Sequence, residues 1–140
     1  MVLSLNNNNI WKLFKLEEFS GNISVIAGNK KISYKELHKL SNKFESLIRK
    51  RCLVFIICKN CVESISGYLG VIQSGAVPVL LNGTINGLQL EKLIEKYSPA
   101  YIFLPSIKNN TILNKTIIDT IGSYDFCKTG LDHDYNIHND

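Results

Sequence analysis

Apolar and polar positions alternate along this chain in three distinct rhythms. From Ser33 the apolar residues Tyr34, Leu37, Leu40, Phe44, Leu47 and Ile48 recur every three or four positions, with lysines and serines between them. That is the one-sided stripe of an amphipathic helix. The opening "SYKE" is a capping box, in which the Ser33 hydroxyl takes a backbone N–H and Glu36 reaches back to the cap. Arg49, Lys50 and Arg51 follow, cations that suit the negative end of a helix. A second rhythm is the short unbroken apolar run, "LVFIIC" from Leu53, "AVPVLL" from Ala76 and "AYIFLP" from Ala100. Uninterrupted runs of this length predict strands buried on both faces, as in a parallel sheet. Between the runs the helical rhythm returns, first as Val62, Ile65, Leu69 and Ile72, then as Leu90, Leu93, Ile94 and Tyr97. Ser64, Ser66, Gly67 and Gly70 make the first of these helices thin, able to lie close on a sheet. Gly75 supplies its stop, and Ser98-Pro99 stops the other, since a residue before proline avoids the helical region. Pro78 lacks an N–H and is expected near a strand start or facing an unpaired side.

The outer segments are weaker. "IWKLFKLEEF" predicts a short helix with Trp11, Phe14 and Leu13 on one face and Asn9 as its cap, after a polar leader over residues 1–9. "NISVIAGNKKIS" reads as two extended pieces about a turn at Gly28-Asn29. "TIIDTI" and "SYDFCK" are candidate strands, and "TGLDHDYNIHND" is a polar loop. Strand, helix, strand, helix, strand at about 23 residues per unit predicts an α/β fold, a parallel βαβαβ sheet with flanking helices.

Composition narrows the function classes. The chain has 140 residues, 45% of them hydrophobic and 20% charged, which describes a globular protein. Of its sixteen basic residues only Arg49 and Arg51 are arginine. The lysines are spread from Lys12 to Lys128 and form no patch, so the +4 charge does not predict nucleic-acid binding. The longest apolar runs are about six residues, far below the roughly 20 of a membrane span. With no signal peptide, the four cysteines predict thiols in a reducing, cytoplasmic setting.

Few residues stand out as chemistry. Cys58 and Cys61 have the spacing of half a metal site or of a redox pair, but a second pair is missing and packing is the preferred reading. Asp132, His133, Asp134, His138 and Asp140 gather oxygen and nitrogen donors without periodicity and read as a solvated loop. His38 falls on the polar side of its helix, as a surface residue. No catalytic or metal-binding residue is assigned. Asn60 and Asn82 each follow the carboxyl end of a predicted parallel strand, where ligands of open sheets bind; turn formation is the simpler role, so they are weak substrate-binding candidates.

In order along the chain, "ISYKELHKLSNKFESLI", "LVFIICKNCVESISGYLGVIQSGAVPVLLN" and "LEKLIEKYSPAYIFLP" resemble the start of the adenylate-forming (AMP-binding) synthetase superfamily, which contains acyl-CoA synthetases, nonribosomal-peptide adenylation domains and luciferases. The resemblance lies in the Tyr34-x-Glu36-Leu37 helix start, Asn60 with Glu63 after a strand, and Gly75-Ala76-Val77 entering the next; it covers about half of the chain. It implies that residues 10–140 are the N-terminal fragment of an enzyme activating a carboxylic acid with ATP and Mg²⁺ to an acyl-adenylate, then passing the acyl group to a thiol or other acceptor such as a carrier protein. The family's Ser/Thr/Gly-rich phosphate loop ending in Pro-Lys-Gly has no counterpart here. "SGNIS" and "CKTGLD" are the nearest stretches, and the later ATP motifs and catalytic lysine are missing as well. The fragment is therefore expected to be inactive alone and to bind no cofactor tightly. The alternative is a non-catalytic interaction module, or one half of a split synthetase that pairs with the remainder. A response-regulator-like domain is disfavoured, because Cys58-Lys59 and Leu81-Asn82 stand where it needs acidic residues.

Overall fold

A computed structural model describes residues 15–112, 114–131 and 136–137. Residues 10–14 of the predicted "IWKLFKLEEF" helix with its Asn9 cap, the 1–9 leader and the cluster of Asp132, His133, Asp134, His138 and Asp140 lie outside these residues; the described end of that segment is a 3-10 turn.

A short 3-10 turn, Leu16–Phe19, precedes an antiparallel hairpin of β1, Ile23–Ala27, and β2, Lys30–Ser33. The hairpin turns at Gly28-Asn29, as the sequence predicts. α1, Tyr34–Leu47, begins at the capping box: the Glu36 N–H donates to Ser33 Oγ at 3.2 Å, and the Ser33 N–H donates to Glu36 Oε2 at 2.9 Å. Its basic followers lie beyond its last turn. The helix ends at Leu47, and Arg51 instead donates to the Gly75 carbonyl at 3.1 Å.

β3, Leu53–Cys58, α2, Val62–Gln73, β4, Val77–Asn82, α3, Gly87–Tyr97, and β5, Tyr101–Pro105, form the expected βαβαβ run. β3 is parallel to both β4 and β5. A 3-10 turn, Ser106–Thr111, leads to β6, Thr116–Ile121, and β7, Tyr124–Lys128, the two candidate strands of the sequence. They join as antiparallel strands, making a mixed five-stranded sheet in the order β4-β3-β5-β7-β6.

The core has two layers. Phe44 of α1 and Val71 of α2 pack with Val54, Ile56, Phe103, Tyr124 and Phe126 on one face of the sheet. Leu90 of α3 packs with Phe55, Ile57, Ile102, Leu104 and Cys127 on the other. With β4 and β5 on opposite sides of β3 and their helices on opposite faces, the two crossovers share one hand.

α2 is thin, and for two partners. A Cβ placed on Gly67 would sit 2.6 Å from Phe103 Cδ1, and one on Gly70 would sit 2.4 Å from Phe44 Cδ2 and 2.7 Å from the Ser41 carbonyl oxygen. The sheet accounts for the first glycine and α1 for the second. Ser41 is accordingly fully buried, not on the polar side of α1, and its hydroxyl donates to the Leu37 carbonyl at 3.0 Å. Ile65, by contrast, is 39% exposed. Gly75 ends α2 with φ +76, a backbone region open to glycine without penalty. Ser98 ends α3 in the left-handed region as well.

β4 departs from expectation. Its apolar run predicts burial on both faces, but it is the sheet's edge, and Leu80 is 54% exposed. The Val77 N–H donates to the Cys52 carbonyl at 2.9 Å, toward β3. Successive residues of a strand alternate in direction, so Pro78 faces the open edge, where no N–H is needed.

Candidate functional site

The chain leaves β3 toward one neighbouring strand and leaves β5 toward the other side of the sheet. A crevice outside the carboxyl ends of two such strands is where open α/β sheets bind ligands. The residues here come from the turn after β3, the first turn of α2, and the β6–β7 hairpin.

Lys59, Asn60 and Cys61 make the turn, closed by the Cys61 N–H donating to the Lys59 carbonyl at 2.9 Å. The Lys59 N–H donates to Ser64 Oγ at 3.0 Å. Tyr124, at the start of β7, reaches across to this turn. Its hydroxyl donates to the Ile57 carbonyl at 2.9 Å and lies 3.1 Å from Ser64 Oγ and 3.7 Å from Cys61 Sγ. Because the phenol proton is committed to Ile57, Ser64 is the donor to the Tyr124 oxygen. Burial pushes the Tyr124 hydroxyl well above its ordinary pKa, so it stays protonated and keeps this bond. Burial likewise raises the Cys58 thiol, with the neighbouring Cys61 adding to the shift.

Glu63, in the first turn of α2, ties the helix to the hairpin. Its Oε1 accepts from the Ser123 N–H and from Ser123 Oγ, both at 3.0 Å. Burial raises the Glu63 carboxyl, but the Ser123 bonds and its own backbone N–H outweigh this, and the pKa is held below the usual carboxylate range. A depressed folded-state value has a definite sign. The contribution to stability is present above the unfolded value, about 4.3 for glutamate, and is lost as pH falls through the lower folded value. Denaturant unfolding at neutral and acid pH is expected to show an acid-side loss that is smaller in Glu63→Gln; an unchanged pH dependence in the variant would refute this role.

The two sequence candidates fall in different places. Asn60 is exposed in the turn beside the crevice. Asn82 ends β4, in register with Cys58, on the outer side of β3. Its Oδ1 accepts from both the N–H and the hydroxyl of Thr84 at 2.9 Å, a turn-forming role. The turn after β3 thus carries Asn60, while Asn82 lies apart at the end of β4. Tyr124, Ser64 and Glu63 surround this turn, and the sequence pattern did not single them out as one group. Tyr124 lies 63 positions from Cys61, a separation no local periodicity spans. Glu63 had appeared only as a family-pattern residue.

His38 is half-buried, its Nδ1 3.8 Å from Glu17 Oε1, so it is not a simple surface residue. Among the described residues no group of three or more His, Cys, Asp or Glu side chains is placed to hold a metal ion. No described helix is long and apolar enough to cross a membrane.

The crevice residues do not fit ATP or Mg²⁺. The Tyr124 hydroxyl is committed to the Ile57 carbonyl, the Ser64 hydroxyl to Tyr124 and the Ser123 hydroxyl to the Glu63 carboxylate, and the Lys59 N–H is taken by Ser64. The arrangement braces a strand end and leaves Asn60 accessible.

A family pattern described as AMP-binding enzyme matches residues 15–131. No curated protein matches the chain in sequence. Solved structures share its fold. A benzoate CoA ligase from Burkholderia xenovorans LB400 aligns with TM-score 0.64 and 16% identity over 73% of this chain and 22% of that one. Apo MatB from Rhodopseudomonas palustris aligns with TM-score 0.63 and 21% identity, again over 73% and 22%. The N-terminal subdomain of Klebsiella oxytoca NpsA aligns with TM-score 0.61 and 18% identity, over 69% of this chain and 27% of that one. The chain thus spans 22% to 27% of the length of these solved proteins.

Proposed function

Because the chain belongs to the AMP-binding enzyme family, we propose that it is the N-terminal scaffold portion of an ATP-dependent enzyme that joins a carboxylic acid to AMP. The match over residues 15–131 carries this reading. The complete enzyme would take ATP with Mg²⁺ and a carboxylic acid, form an acyl-adenylate and pyrophosphate, and hand the acyl group to a thiol, whether of coenzyme A or of a carrier protein. MatB has been solved with ATP, and the anthranilate CoA ligase AuaEII with anthranoyl-AMP; both share this fold.

This chain's own part is positional. It supplies the parallel strands and the braced turn after β3, with Asn60 as a weak contact for the acid and Asn82 as a more remote one. It carries no Ser/Thr/Gly-rich loop ending in Pro-Lys-Gly, so the groups that stabilise charge on the phosphates belong to the rest of the enzyme. By itself the chain is therefore inactive.

Exposed apolar side chains favour a companion reading, that this unit works by docking to another polypeptide segment, as in a split synthetase. Leu88 is 65% exposed at the start of α3 and Ile107 is 86% exposed in the turn after β5, both at the carboxyl end of the sheet. Their two stretches are tied by Lys108, whose Nζ donates to the Ile85 carbonyl at 3.0 Å.

The test is ATP–pyrophosphate exchange over a panel of carboxylic acids. The 140-residue chain is expected to give none, and the same chain joined to a segment that carries the family's phosphate loop and catalytic lysine is expected to give acid-dependent exchange. Exchange by the short chain would overturn its inactivity. A longer product that has the phosphate loop and still gives no exchange would overturn acid activation.

A further inference from the structure

Two of the four cysteines are placed for chemistry that scaffolding does not require. No disulfide joins any of the four. Cys52 and Cys127 are fully buried, and burial pushes the Cys127 thiol up to about 11. Cys58 and Cys61 are only half-buried. They flank the Lys59-Asn60 turn, which is pinched shut by the Cys61 N–H bond to the Lys59 carbonyl at 2.9 Å. A three-residue closure of this kind reverses the chain abruptly. Both side chains also pack against the same core, the one beneath α1 and α2. Turn and packing together place both half-buried cysteines on the core side of one turn, with Cys58 Sγ donating to the Ile56 carbonyl at 3.5 Å and Cys61 Sγ facing Ser64 and Tyr124, so that pairing them takes a side-chain rotation. Cys61 heads α2, and its thiol does not cap the helix backbone.

We propose that Cys58 and Cys61 form a reversible intramolecular disulfide by exchange with a low-molecular-weight disulfide, so that the turn after β3 is a redox-sensitive site. Glutathione disulfide serves as the oxidant. Burial keeps Cys58 protonated, so the first attack is by the Cys61 sulfur. It bonds to one glutathione sulfur and releases the other as a thiol. The Cys58 sulfur then attacks the Cys61 sulfur, and the second glutathione leaves as a thiol. The protein loses two electrons and two protons, and both end on the two glutathiones. Ring closure speeds up as pH rises, because the raised Cys58 thiol must ionise to attack.

The switch acts on its surroundings through contacts already described. Cys61 Sγ lies 3.4 Å from Ser64 Oγ and 3.7 Å from the Tyr124 hydroxyl. Joining Cys58 draws it from both and clamps Asn60 inside a small ring. This chemistry holds whether or not the complete enzyme makes adenylates.

The experiment uses the native chain. A chromogenic aromatic disulfide is expected to titrate two thiols before denaturation and four after it. Equilibration with glutathione disulfide, then alkylation and peptide mapping, is expected to show Cys58 linked to Cys61 with a mass loss of about 2 Da. Dithiothreitol reverses it. Cys58→Ser is expected to stop at a mixed disulfide, with glutathione retained on Cys61. Three outcomes overturn the proposal: a stable mixed disulfide in the unsubstituted chain, a link that involves Cys52, Cys127 or a second chain, or no reaction at either half-buried cysteine.

Discussion

Phe44→Ala is expected to cost about 3–5 kcal/mol of stability, the range for emptying a large aromatic site in a closed core. Phe44 is fully buried where α1, α2 and the sheet meet. Its ring stands edge-on to Phe103 at 5.1 Å and to Phe126 at 5.3 Å, arrangements that add to its area burial. It also covers Gly70, whose absent Cβ leaves the ring its space. Removing it strips one wall from two other aromatics, and their β5 and β7 backbones are fixed by pairing, so the gap has little room to collapse. Denaturant unfolding followed by circular dichroism measures the loss; a cost below about 1 kcal/mol would mean that the α1 face is not the core it is taken to be. Ile65→Ala, at an exposed position of α2, is the comparison and is expected to change little.

Gly70→Ala is expected to destabilise by about 2–3 kcal/mol, although alanine is the better helix former by about 1 kcal/mol. The sign is decided by what the new methyl meets. The Phe44 ring can rotate a little, but the Ser41 carbonyl oxygen, 2.7 Å away, is helix backbone and cannot. α1 and α2 must move apart, and the Gln73–Asn42 side-chain bond of 2.6 Å that joins them is strained with them. Thermal unfolding of the variant gives the answer; equal or higher stability would show that the helices have slack. A double variant with Phe44→Leu is expected to recover part of the loss, since the ring is one of the two obstacles.

These two positions also mark how far the sequence alone could be read. Phe44 is recoverable from its place in the α1 stripe, and Gly67 and Gly70 announce a close approach. The direction of approach is not legible, because a glycine says that something is near and not what. The sheet's three parallel strands follow from three apolar runs at even spacing, and the structure has them running together. The same rule fails for β4, since an apolar run does not reveal that a strand has a neighbour on one side only. Ser41 falls among the polar residues between the apolar positions of α1 and is buried all the same, because a serine that satisfies its hydroxyl on its own helix at Leu37 can be buried as easily as an alanine. At the candidate site, Asn60 was visible because turns after parallel strands have a known use. Tyr124 looked like one more apolar residue of a strand. Its phenol became informative only when the fold brought β7 beside β5 and aimed it at Ile57.

Pro78 gives the outer margin of β4 a property unrelated to catalysis. The strand bears no charge, and Leu80 stands 54% exposed upon it, which would ordinarily invite a second molecule to zip on. On the side turned outward, however, one rung of the ladder is missing at Pro78, and the Asn82 carbonyl is already engaged by the Ile85 N–H at 3.0 Å. A strand from a stray neighbour would find Leu80 alone offering both donor and acceptor, too little to seed a fibril.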